Sequence, residues 1–148
     1  MRDYKGFTLL EMMIAAGILV VALVGLLAMF TGLTSMNERS ENLTMAVTAC
    51  QDKLEEIRRS NFTAVTVTYN NTRFDPAGFQ AADAEGVIYV DNTNPDLLSI
   101  LVSVSWRERA NRVIGEDQDL DGICDAGEGG GDNRLNSPAQ LVTLMAQR

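Results

Sequence analysis

The stretch Gly6-Phe7-Thr8-Leu9-Leu10-Glu11 begins an apolar segment in which no further charge follows until Glu38. Residues 12–30 are apolar throughout, and at about 1.5 Å per helical residue they span roughly the 30 Å hydrocarbon core of a bilayer. An ionised carboxylate in such a segment is costly, because hydrocarbon cannot solvate it. The sequence therefore predicts a membrane-length helix and marks Glu11 as a functional residue that needs a partner.

The residues before this segment predict its orientation. Arg2 and Lys5 are basic, and the positive-inside rule then keeps the N-terminus in the cytoplasm and places the rest of the chain beyond the inner membrane. A cleaved secretory signal peptide fits poorly, because the apolar run is too long and no A-x-A site follows it. A plain membrane anchor is left as an alternative.

The residues Lys5-Gly6-Phe7-Thr8-Leu9-Leu10-Glu11 resemble the class III signal of type IV pilins and type II secretion pseudopilins. The resemblance implies that prepilin peptidase removes residues 1–6 as a leader by cutting between Gly6 and Phe7, and then methylates the new amine. It also implies assembly with other pilins or pseudopilins through the N-terminal helix. At low dielectric, Glu11 pairs favourably with the Phe7 amine of a neighbouring subunit, whereas either charge alone is heavily penalised.

The helix is predicted to continue beyond the membrane, from about Thr8 to Arg59, because no proline occurs before Pro76. Five apolar residues in its second half recur at spacings of four and three, which predicts one buried stripe that rests on a sheet. These residues are Leu43, Val47, Cys50, Leu54 and Ile57. We therefore divide the mature chain into a transmembrane or filament-core helix (7–35) and an amphipathic helix with a globular β-sheet domain (36–148).

Four strands are predicted after the helix, at residues 64–69, 87–90, 97–107 and 140–147, with a loop at 70–80. The clearest strand alternates strictly, so that one face carries Ile100, Val102, Val104 and Trp106. A long helix followed by several strands indicates the α+β class with a small antiparallel sheet. This order is type IV pilin-like, and the Val-x-Val-x-Trp strand followed by a terminal Leu-Val-Thr-Leu strand resembles minor pilins of the PilV/GspI type.

The segment 117–128, between the last two predicted strands, has the ligand spacing of a twelve-residue calcium loop, with Gly122 at the sixth position. Calcium prefers six to eight oxygen ligands in loose geometry. The candidate ligands are Asp117, Asp119, Asp121, the Ile123 carbonyl, Asp125 through water and Glu128 with both oxygens. The glycines at 129–131 cannot continue a helix, so this is not a complete EF-hand. The alternative is a solvated acidic loop.

Two interpretations of the cysteine pair are open. Outside the cytoplasm, Cys50 and Cys124 can form a disulfide. Alternatively, Cys50 is a small core residue on the buried stripe. Sequence alone does not bring the two α-carbons within bonding reach.

Composition excludes several classes of function. The chain has no histidine, which excludes histidine zinc sites and histidine general-base catalysis. Its net charge of −8 argues against nucleic-acid binding. An enzyme is the least expected class, because no nucleophile–base pair can be named.

These features predict a minor type IV pilin-like structural subunit with a calcium-stabilised loop. We expect it in the bacterial inner membrane before assembly and in a pilus or pseudopilus, in the periplasm or at the cell surface, afterwards. Two alternatives are a type II secretion pseudopilin and a membrane-anchored periplasmic calcium-binding module that never assembles.

Overall fold

The computed structural model describes residues 6–80 and 82–147. The first element is helix α1, Leu9–Arg59, which confirms the long helix predicted from the apolar segment and the stripe that follows it. The chain divides into two compact units, Met1–Arg39 and Ser40–Arg148, and α1 contributes to both.

In the first unit, α1 carries large apolar side chains that are exposed from Leu9 to Met36. Its most apolar 18-residue window has a mean hydropathy of 2.8, with none of the window buried. Side chains that find no protein partner and avoid water need another apolar environment. By length and composition this part of α1 is able to cross a membrane.

The second element is a short helix, α2 (Phe62–Tyr69), so the strand predicted at residues 64–69 is wrong. Asn61 caps this helix by accepting a hydrogen bond from the backbone N–H of Thr63 at 3.2 Å. Phe62, Val65 and Tyr69 all pack on the core, and their spacings of three and four are helical. The alternation of β-branched residues with threonine concealed this second pattern.

In the part of the chain that the structure describes, five antiparallel strands form the sheet. They are β1 (Thr72–Phe74), β2 (Ala84–Asn94), β3 (Leu97–Glu108), β4 (Arg112–Ile114) and β5 (Ala139–Ala146). Strand β3 pairs with β2 along one edge, and β5 and then β4 share its other edge. A 3₁₀ turn, Arg109–Asn111, joins β3 to β4.

The predictions for β3 and β5 are confirmed to within one residue at each end, whereas the other strands differ. Strand β1 lies inside the predicted loop 70–80, and β4 was not predicted. Strand β2 extends beyond the predicted 87–90, because β3 offers a pairing partner along its length. Its end is irregular between Asp91 and Asn94, where polar residues follow the apolar run.

One face of the sheet packs on α1 and α2, and we call this cluster the helix-side core. The predicted inward face of β3 is buried there, from Ile100 at 0% exposure to Trp106 at 2%. From the predicted stripe, Cys50, Leu54 and Ile57 are buried, whereas Leu43 is 40% exposed. The buried stripe therefore begins at Ala46, about one turn later than predicted. Each large aliphatic side chain buried here contributes about 1.5–3 kcal/mol.

Cys50 and Cys124 are both free thiols, so the disulfide interpretation is not supported. Cys50 belongs to the helix-side core and donates to the Ala139 carbonyl at 3.5 Å. Cys124 packs against a second cluster, formed by Val87, Tyr89 and Leu135. Alternate strand residues point to opposite faces, so the sheet separates the two thiols. Burial raises the pKa of Cys50 to about 12, as expected for an inert core residue.

Candidate functional site

The N-terminal segment presents the predicted cleavage site outside the helix. Gly6 and Phe7 are non-helical and exposed, with Phe7 at 79%. The basic leader residues Arg2 and Lys5 lie outside the described residues. The Gly6–Phe7 peptide bond thus lies before the first helical turn. No intrahelical hydrogen bonds hold the chain at this point.

Glu11 lies in the first turn of α1, and Thr8 caps that turn. The backbone N–H of Glu11 donates to the Thr8 hydroxyl at 3.3 Å, which satisfies one of the free donors at the helix start. A carboxylate at this position is also favoured by the positive end of the helix dipole. Thr8 and Glu11 have the Thr-x-x-Glu spacing of a capping box. This spacing is a sequence signal for the start of a helix, independent of the hydropathy of the segment.

The acidic loop lies against the face of the sheet opposite α1. Leu135 is 1% exposed and belongs to the second cluster with Val87 and Tyr89, which we call the loop-side cluster. The Leu135 N–H donates to the Tyr89 hydroxyl at 3.0 Å, and the Ser137 hydroxyl donates to the Val104 carbonyl. The segment between β4 and β5 is therefore fastened to the sheet at its C-terminal end.

The start of the loop is organised around Asp117, which is 1% exposed. Its two carboxylate oxygens accept hydrogen bonds from the backbone N–H groups of Asp121 at 3.1 Å and Gly122 at 3.0 Å. Burial raises the pKa of the Asp117 carboxyl, the backbone hydrogen bonds oppose that rise, and the charge of Glu128 adds to it. A buried carboxylate held this way is oriented before any cation arrives.

The end of the loop folds back on its beginning through Glu128. One oxygen of Glu128 accepts from the Gln118 N–H at 2.7 Å, and the other accepts from the Asp125 N–H at 3.3 Å. The turn between the two halves needs a left-handed backbone at Gly122, whose φ is 69°. The twelve predicted positions therefore form one closed loop.

The structure brings the predicted carboxylate ligands together in two overlapping groups of three. Oxygens of Asp117, Asp119 and Glu128 all lie within 4.8 Å of one another, as do those of Asp119, Asp121 and Asp125. Ile123 lies in the same turn, with its N–H bonded to Asp121 at 2.7 Å. Coordination by its carbonyl stays a prediction. Each group could hold a metal ion, because three neighbouring carboxylates suit a hard cation that prefers oxygen ligands.

Sequence reasoning missed Arg73 and Glu85, which reach this loop from the sheet. Arg73 on β1 donates from Nη1 to the Asp121 carbonyl. Glu85 on β2 lies beside Gly122, and its Cγ is 3.2 Å from the position that a Cβ there would take. Burial and then the charge of Asp75 raise the pKa of Glu85. Both contacts join segments far apart in sequence, so no local pattern could have revealed them.

A family model described as the prokaryotic N-terminal methylation motif matches residues 1–27. This match supports the pilin and pseudopilin family, without distinguishing a subtype within it. It implies processing by prepilin peptidase and assembly with other pilins, and it is consistent with an inner-membrane anchor before assembly. The match ends before the sheet domain begins. No curated protein and no solved structure matches the chain.

Proposed function

We propose that this protein is a minor type IV pilin-like structural subunit that assembles through α1 into a pilus based in the inner membrane. The observation that carries the proposal is the capped helix start. An exposed Gly6–Phe7 bond precedes it, and Glu11 follows on a helix that carries its apolar side chains outwards. The methylation motif over residues 1–27 supports the same processing.

Assembly follows from the charge of Glu11. Within residues 6–80 and 82–147, the ion pairs Lys53–Glu56 and Arg59–Glu55 do not involve it. Its partner is the amine that cleavage creates at Phe7 of a neighbouring subunit. A charge pair in a low-dielectric core is strongly register-specific, because displacing the subunits leaves two uncompensated charges. The pairing therefore aligns subunits as they leave the lipid.

The acidic loop would bind calcium in the extracytoplasmic space. Two groups of three acidic residues, which have Asp119 in common, support this proposal, and so does Gly122 at the sixth position. An isolated loop of this kind needs an affinity of only about 10⁻⁴ to 10⁻³ M in an extracellular setting. The bound ion would stabilise the segment that covers the loop-side cluster, without a catalytic role. We propose no enzymatic activity.

A type II secretion pseudopilin is the second candidate, because the N-terminal motif is common to both filament systems. The minor-pilin subtype rests on the Val102-x-Val104-x-Trp106 strand and on the last strand. The two candidates are separated by phenotype. Deleting the gene should impair pilus display in the first case and protein secretion in the second.

The assembly proposal is tested with Glu11→Ala in cells that express the filament machinery. We expect this variant to accumulate in the membrane and to be lost from the sheared surface fraction, because the amine of the neighbouring subunit has no partner. Glu41→Ala is the matched control, since Glu41 is an exposed glutamate of the same helix outside the apolar segment. Equal assembly of both variants would contradict the charge pairing, whereas absence of the wild-type protein from the sheared fraction would favour a membrane-anchored module that never assembles.

A further inference from the structure

Arg73 joins the sheet to the turn of the acidic loop. Its guanidinium donates to the carbonyl of Asp121, and its Cγ and Cδ occupy the space that a side chain at Gly122 would need. The contact thus falls on the fifth and sixth positions of the twelve-residue loop, where the chain reverses.

Both backbone polar groups of Asp121, its N–H and its carbonyl, make hydrogen bonds. Its N–H donates to the carboxylates of Asp117 at 3.1 Å and Asp119 at 3.3 Å, while its carbonyl accepts from Arg73. Its own carboxylate accepts from the Ile123 N–H at 2.7 Å. Ligands fixed in this way lose little conformational freedom when a cation binds.

Arg73 belongs to strand β1 of the sheet. Strand β1 pairs with β2, with Arg73 opposite Val87, and Val87 is a buried member of the loop-side cluster. The loop supplies no cation of its own, because residues 116–132 contain seven acids and neither lysine nor arginine. Arg73 therefore brings a positive charge to the loop, and its strand holds that charge in place.

We infer that Arg73 is a positioning residue for calcium, which holds the Asp121–Gly122 turn in the binding conformation. This inference rests on the proposed calcium-binding function. Two effects of opposite sign follow from the arginine. Its charge repels a cation, which weakens binding, whereas its hydrogen bond orders the loop, which strengthens binding. Raising the salt concentration weakens the charge repulsion and affects the hydrogen bond to a neutral carbonyl less, so comparing two salt concentrations separates the two effects.

The test measures calcium affinity by calorimetry on the full chain in detergent, at low and at physiological salt. Arg73→Met keeps the aliphatic stem but removes the charge and the donors. We expect its calcium affinity to fall about three- to tenfold at physiological salt, as for the loss of one hydrogen bond. Arg73→Lys, which keeps the charge and a donor, should recover part of the loss. Arg112→Met on β4 is the control and should leave the affinity unchanged.

Unchanged or tighter binding by Arg73→Met at physiological salt would overturn the inference, because the arginine would then act only as a repelling charge. A wild-type chain that binds no calcium would instead overturn the proposed function. Fluorescence of the buried Trp106 reports whether the variant folds. If it does not, hydrogen exchange on the wild type decides: calcium should slow exchange in β1 as well as in the loop, and slowing in the loop alone would contradict the inference.

Discussion

The carboxylate of Glu128 accepts a hydrogen bond from the backbone N–H of Gln118 at 2.7 Å, so the twelfth residue of the loop is bonded to the second residue. The same side chain reaches the N–H of Asp125 with its other oxygen. A cation that takes both oxygens of Glu128 would act on a loop that is already closed.

Glu128→Gln should weaken calcium binding at least about tenfold, because it removes a charged ligand whose interactions are worth about 1.5–3 kcal/mol. The measurement is the calcium-dependent rise in melting temperature, which follows from selective binding to the folded state. Asp132→Asn is the matched control, since it removes one negative charge from the same segment outside the twelve positions. An equal effect of both variants, or no rise in the wild type at millimolar calcium, would contradict a specific site.

Gly122→Ala should lower the free energy of unfolding by about 1–2 kcal/mol, the cost of a left-handed conformation for a residue with a side chain. The new methyl group would also displace Arg73. Chemical denaturation without calcium measures the loss. Gly130→Ala is the control, because a Cβ there meets nothing within 4 Å, and it should be neutral. Similar losses in both variants would count against a special role for the turn.

Glu85→Gln should change the pH dependence of stability. The pKa of Glu85 is raised in the folded protein, so the folded state binds more protons than the unfolded state. Its contribution is fully present below the ordinary glutamate pKa and is lost as the pH rises through the raised value. In EDTA, the variant should therefore gain stability relative to wild type as the pH rises from about 4 to 7. A constant difference across this range would contradict the raised pKa.

The two thiols should react in a fixed order. At pH 8 an alkylating reagent should modify Cys124, which is partly exposed, before Cys50, which is buried with a pKa of about 12. Burial and then the charge of Glu128 raise the pKa of Cys124 as well, so its reaction should be slow. Unfolding should equalise the two rates, and Cys124→Ser should abolish the early labelling. An intact mass lower by two hydrogens in the unlabelled protein would instead indicate a disulfide.

Sequence patterns predicted the elements whose residues have one dominant environment. The apolar face of β3 and the stripe on α1 are regular enough to give both elements and their common core. The strand predicted at 64–69 is wrong, because alternating threonines mask the helical spacing of Phe62, Val65 and Tyr69. Asn61 caps the first turn and starts a helix there instead. Strands β1 and β4 are three residues long, and pairing with longer strands creates them.

In the candidate site, too, the sequence reveals the residues that lie within one segment and hides those that the fold brings from elsewhere. The spacing of acids from Asp117 to Glu128 encodes the ligand set, because all of its members lie within one turn-forming segment. Arg73 and Glu85 reach the loop from strands more than thirty residues earlier in the chain, so only the fold brings them there. The side of the sheet that the loop covers was equally hidden, since Ser103 and Ser105 are polar yet buried.

The central claim is that Gly6–Phe7 is a processing site that creates the partner of Glu11. Mass spectrometry of the protein purified from membranes that contain prepilin peptidase tests it most directly. We predict an N-terminus at Phe7 that carries one added methyl group, with residues 1–6 absent. An intact N-terminus, or a cut after the apolar segment, would contradict the account.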